Sequence, residues 1–134
     1  MDVSETSDNK SEQNRNIYND LGPDKIREVV RTFYGRAFSD PIIGHFFHAH
    51  SLDELVEKQT GFAIAMLGGP RTYTGKPLAP VHHALKIRPP HFGRRQVLMR
   101  DALTEHGIST DVIERWLDLE ESLRPLIIRD ATCR

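Results

Sequence analysis

The stretch from Met66 to Phe92, MLGGPRTYTGKPLAPVHHALKIRPPHF, constrains this chain more than any other. An apolar segment stops at Gly68-Gly69-Pro70, and a loop rich in glycine, proline and threonine follows. The adjacent pair His82-His83 then sits between Pro80 and Pro89-Pro90. Proline fixes one backbone torsion and removes a donor, and glycine favours turns, so regular structure is interrupted here. Only a short helix fits between Leu78 and Lys86. Neighbouring residues on a helix diverge by about 100°, so only one of the two histidines can face inward. We read the stretch as a rigid frame that holds one imidazole in place.

On both sides of that frame the chain is written in helical period. Ile26, Val29, Val30, Phe33, Tyr34, Ala37 and Phe38 make one apolar stripe, predicting a helix over 24–39. Pro23 suits its first turn and Asp24 the positive end of its dipole. Asp40-Pro41 ends it, because a residue before proline disfavours the helical region. The short apolar run Ile42-Ile43-Gly44-His45-Phe46-Phe47 follows. Ser51-Leu52-Asp53-Glu54 reads as a capping box and predicts a helix over 52–67. Its inward face is Leu52, Leu55, Val56, Phe62, Ala63, Met66 and Leu67. Pro89-Pro90 opens a further helix to about His106, with Gly107 as its cap. Phe92, Leu98, Met99, Ala102 and Leu103 face inward there, while Arg94, Arg95 and Arg100 read as a solvated face. Ser109 or Thr110 caps the last helix. Val112, Trp116, Leu119, Leu123 and Leu126 are expected to line its core side, Pro125 to kink it, and Ile127-Ile128 to continue it. No alternating strand pattern and no internal repeat appears.

The expected class is therefore all-α, and 134 residues suit one domain with one core. Residues 1–16 contain almost nothing apolar and are expected to be a disordered polar tail. The globular domain spans 17–130, with Ile17 to Leu21 as a single helical turn before the Gly22-Pro23 break, and residues 131–134 fray.

Much chemistry is excluded. The formal charge of −1 gives no global attraction to nucleic acid or anionic membranes. No apolar run reaches the ~18–20 residues of a membrane span, and the N-terminus has no apolar signal core. A cytoplasmic location is expected. The one cysteine, Cys133, allows no internal disulfide and argues against a cysteine-based zinc site. The phosphate-binding glycine loop, the serine elbow, the cysteine–histidine nucleophile and HExxH are all missing. Among the seven histidines, His45, His48 and His50 match no regular zinc spacing.

What remains is a held histidine, the pair Phe46-Phe47, and two polar groups on inward faces: Tyr34 on one helix and Gln59 on another. Buried polar groups need partners. One solution is a Tyr–Gln bond in a ligand-free helical bundle. Another is a polar ligand between them. An imidazole, apolar walls and a few hydrogen-bond donors are the components of a haem pocket.

The chain resembles the truncated haemoglobins, most closely their first group. The resemblance rests on Phe33-Tyr34, Asp40-Pro41, Phe46-Phe47, Gln59, Leu67-Gly68-Gly69-Pro70, Tyr73-Thr74-Gly75, Val81-His82, Ile87, His91-Phe92 and Pro125-Leu126. It implies a globin-like, truncated two-over-two helical sandwich around haem b. It further implies His82 as the proximal iron ligand, with His83 as the competing choice, and Phe47 on the haem face. Tyr34 and Gln59 become the distal pair that holds the ligand. Leu55 stands where larger globins carry a distal histidine. Phe62, Leu78, Ile87 and Phe92 line the haem, His91 lies near its edge without binding iron, and Lys86 and Arg88 can reach its propionates. The family's frequent pair of glycines is replaced by Gly22-Pro23, which implies a reduced first helix. The implied activity is binding of dioxygen and other diatomic ligands, nitric oxide and carbon monoxide included. Nitric oxide dioxygenation, with an unidentified reductase as partner, is the implied enzymatic possibility. The alternative is a haem-based gas or redox sensor in which His48 or His50 is an internal sixth ligand. Neither nucleic acid binding nor membrane insertion is expected.

Overall fold

The computed structural model describes residues 9–71 and 86–128, with side chains from residue 17 onward. Among these residues, five α-helices and one short 3-10 helix run in the order α1 (Asn9–Ser39), 3-10 (Gly44–Phe46), α2 (Leu52–Met66), α3 (Pro89–Glu105), α4 (Thr110–Glu121) and α5 (Arg124–Ile127). The described residues contain no strand.

The start of the chain departs from expectation. Helical backbone begins at Asn9 and continues to Ser39, bent at Gly22, whose φ of 81° is left-handed. Only glycine takes that conformation without a Cβ penalty, so Gly22 allows a sharp kink and Pro23 reopens the helix. Part of the expected disordered tail is therefore helix. Lys10, Glu12, Gln13 and Arg15 are good helix formers, and the segment they belong to is anchored at its end by Ile17, which is fully buried. The first helix is not reduced to one turn, and it is docked. The Tyr18 N–H donates to the Leu67 carbonyl at 3.2 Å. The Tyr18 ring also lies so close to Gly69 that a Cβ there would meet it at 2.6 Å.

Beyond the kink, α1 buries Ile26, Val29, Val30, Phe33, Tyr34 and Ala37 against α2 and α3. The predicted stop at Asp40-Pro41 is observed. Asp40 holds the turn, accepting the N–H groups of Ile42 at 2.9 Å and Ile43 at 3.1 Å. Helix α2 starts where predicted, the Ser51 Oγ accepting from the Glu54 N–H at 3.3 Å. At the other end of the chain, the Ser109 Oγ accepts from the Val112 N–H and opens α4, which packs on α3. Gly107, at φ 73°, ends α3 as expected.

The last helix differs from its predicted form. It breaks after Glu121, and Pro125 sits in the first turn of α5 rather than inside a kinked helix. Proline's missing N–H is harmless there. Of the predicted stripe, Val112 and Trp116 are buried, while Leu119 and Leu123 are half-buried and Leu126 is 41% exposed. Ile113, Leu117 and Glu120 are buried on α4 together with Val112 and Trp116.

Candidate functional site

Tyr34 is the centre of the site. It projects from α1 into the interior and is 8% exposed. Phe33 meets its ring edge-on at 4.7 Å and Phe47 at 5.6 Å. Phe47 is held in turn by Phe38, stacked at 5.6 Å. This is why the Asp40 turn matters: it delivers Phe46 and Phe47 against α1.

Two adjoining cavities share Tyr34, Arg95 and Ile127 as a common wall. One is lined also by Gln59, Phe62, Ala63 and Met66 from α2 and by Met99, Trp116 and Glu120. The other is lined by Ile43, Phe46, Phe47, Ile87, His91 and Phe92. They are small, about 70 and 90 Å³.

Burial pushes the Tyr34 phenol up to about 12, outweighing the opposing pull of Arg95. The hydroxyl therefore keeps its proton throughout the neutral range and remains a donor. His91 sits at the start of α3, where its Nδ1 accepts the Arg88 N–H at 3.0 Å. That bond puts the proton of the neutral ring on Nε2. Burial, with His45 and Arg88 nearby, holds the His91 pKa below its usual value. The ring also meets Phe46 at 5.0 Å and His45 at 5.9 Å.

The residues singled out from sequence fall as follows. Tyr34, Gln59 and Phe62 line the first cavity, and Phe47, Ile87 and Phe92 the second, again with Tyr34. Leu55 is half-buried and packs against the core. His82, its rival His83 and Leu78 lie outside the described residues. Lys86, Arg88, His48 and His50 are exposed.

The solvated reading of Arg94 and Arg95 is corrected. Arg94 reaches the nearly buried carboxylate of Asp40 at 2.8 Å. Arg95 forms a bidentate pair with Glu120 at 2.6 and 3.1 Å, and Glu120 accepts from Trp116 Nε1 at 2.9 Å. Arg100 keeps its place on the surface, paired with Glu114. One signal for Glu120 was present: it follows Val112 and Trp116 at intervals of four and so shares their buried face.

An aromatic, apolar slot with a donor hydroxyl and a side-chain amide on one wall fits a flat apolar ring whose central atom carries a small polar ligand. The bacterial-like globin family model matches residues 16–128. A group 1 truncated hemoglobin, GlbN, of Mycolicibacterium paratuberculosis is 36% identical over 112 residues, covering 83% of this chain and 82% of that protein. The truncated hemoglobin of Tetrahymena pyriformis in its Fe(III) form superposes with a TM-score of 0.79 at 28% identity, over 84% of this chain and 97% of that one. The truncated oxygen-avid haemoglobin of Bacillus subtilis superposes at 0.74 with 29% identity, over 83% and 98%. By its all-helical two-over-two fold and by these matches, the chain belongs to the bacterial-like globin family, among the group 1 truncated haemoglobins.

Proposed function

We propose that this globin holds haem b, with His82 on the iron, and that it binds dioxygen beside Tyr34 and Gln59. Family membership itself implies haem and the haem-based binding of diatomic gases. The observation that carries the finer reading is the buried, protonated Tyr34 hydroxyl on the wall shared by two cavities, with Gln59 in the same lining. Haem iron, when bound, supplies reversible coordination of diatomic gases and one-electron redox chemistry. The chain supplies the rest. Phe47, Ile87 and Phe92 give apolar walls that exclude water and grip the ring. Tyr34 and Gln59 give donors to a ligand that gains negative character, an interaction stronger than a neutral hydrogen bond. Leu55 offers no donor, so the two polar residues carry that role. The same pocket serves oxygen binding or transport, takes carbon monoxide, and suits nitric oxide dioxygenation. In that reaction nitric oxide and dioxygen become nitrate at the expense of one electron, which a reductase must return.

Purified full chain loaded with haem b is expected to show a Soret band, and absence of that band would sink the proposal. Tyr34→Phe should speed dioxygen release roughly 10- to 100-fold, the equivalent of the ~1.5–3 kcal/mol of a charge-assisted hydrogen bond. An unchanged release rate removes Tyr34 from the ligand site. His82→Ala should lose the iron–imidazole band in resonance Raman; if His83→Ala loses it instead, the iron ligand is His83.

A further inference from the structure

Arg95 and Glu120 put two charges into the wall of an otherwise mostly apolar pocket. Arg95 lines both cavities and Glu120 the one that holds Gln59. Their side chains are 23% and 7% exposed. Glu120 is fixed by the fork of Arg95 and by the Trp116 Nε1–H at 2.9 Å. Arg95 is fixed by Glu120, by Gln96 Oε1 at 2.8 Å, and by the Phe33 ring, whose centroid lies 4.8 Å from the guanidinium carbon. Desolvation commonly cancels the Coulomb gain of such a pair, so stability alone is a weak reason for it. The arrangement has a direction, however. Phe33 is the chain neighbour of Tyr34, and Arg95 stands beside Tyr34 in the wall of both cavities, where its charge opposes the effect of burial on the phenol. Guanidinium has donors and no acceptor, so it can bond only to the phenol oxygen.

We infer that the Arg95–Glu120 pair positions Tyr34: Arg95 occupies the acceptor side of the hydroxyl, so its proton is committed to the ligand between Tyr34 and Gln59. Glu120 keeps the guanidinium at that angle. Neither residue has to touch the ligand; both act through Tyr34. The consequence is selectivity. A ligand that accepts a hydrogen bond, such as dioxygen or a small anion on ferric iron, is held, and carbon monoxide, a weak acceptor, is held much less. This rests on the proposed haem pocket and adds to it a charged pair that sets the distal donor.

The test is a double-mutant cycle on the haem-loaded full chain. Arg95→Met/Glu120→Met removes both charges at similar volume and is introduced with Tyr34 present and with Tyr34→Phe. With Tyr34 present, dioxygen dissociation is expected to rise about tenfold and carbon monoxide dissociation less than about twofold. With Tyr34→Phe, the same change should move dioxygen dissociation less than about twofold. The C–O stretch of the carbon monoxide complex should rise with Tyr34 present and stay put without it. Equal effects in both backgrounds, or none in either, overturn the inference. Glu120→Gln keeps the volume and the Trp116 hydrogen bond while loosening Arg95, so it serves where the double substitution does not hold haem. It should raise dioxygen release about threefold in the Tyr34 background, and no change overturns the inference. A native chain with no Soret band overturns the haem pocket and this inference together. A native chain with a Soret band and an additive cycle overturns only the positioning role.

Discussion

His91 shows how one side chain can serve the backbone and the pocket together. Its Nδ1 accepts the Arg88 N–H, one of the donors that a helix start leaves unpaired. Its ring faces Phe46 in the cavity wall. Protonation would remove the acceptor, and burial already disfavours the charged ring. Because the folded pKa is lowered, the unfolded chain binds more protons near pH 6, and stability rises with pH there. The His91 contribution is present above its unfolded pKa of ~6.5 and is lost as pH falls through that value toward the lower folded one. His91→Gln keeps an acceptor at the same helix position without a titrating group. Urea unfolding of the variant should show a shallower loss of stability between about pH 7 and pH 5; an identical slope would mean that His91 does not couple to folding. The resemblance located this residue at the haem edge, but its capping bond depends on where α3 starts. Tyr34 and Gln59 were legible because each interrupts an apolar stripe. Arg95 was not, because three arginines within seven positions read as surface.

The turn after α1 is the element that builds the aromatic side of the pocket. Its local grammar was readable: Asp40-Pro41 stops the helix and Asp40 accepts the following N–H groups. Its second bond was not. Arg94 of α3 donates to the Asp40 carboxylate from Nε at 2.9 Å and from Nη2 at 2.8 Å, so the turn is pinned to a helix 54 positions away. That guanidinium, more than the backbone donors, holds the Asp40 pKa below the usual carboxylate range. A lowered folded pKa gives stability that is present above the unfolded value, ~3.9, and lost as pH falls through the folded one. Asp40→Asn should cost about 1–3 kcal/mol near neutral pH, since the side chain is only 3% exposed and the partner is charged. In chemical denaturation the gap to the native chain should close below the folded pKa of Asp40; a constant gap would assign the cost to packing instead of charge.

At the scale of the molecule, the apolar interior dominates and the surface pairs add little. Arg31–Asp53 links α1 to α2, Arg27–Glu57 does the same, and Arg36–Glu105 links α1 to α3. All are well exposed, and each is worth ~0–1 kcal/mol. Thr32 and His106, bonded at 2.8 Å, add a half-buried tie between α1 and the end of α3. Ile17 is a sharper probe of the architecture, because it reports whether the segment before the Gly22 kink belongs to the core. It is fully buried, so Ile17→Ala should destabilise by about 2–4 kcal/mol in urea unfolding. A loss under about 0.5 kcal/mol, typical of surface positions, would mean that the segment is not docked in solution.

Helical period, caps and proline positions fixed the class, three of the helix starts and the inward direction of Tyr34 and Gln59, because each is a local property of neighbouring residues. The tertiary structure decided which inward groups meet. Arg95 and Glu120 lie 25 positions apart on separate helices, and no local pattern pairs them. The helical start at Asn9 and the break before α5 were decided the same way. Local sequence chooses the face a side chain takes; only the packing of helices chooses its partner, because that contact is made across space and not along the chain.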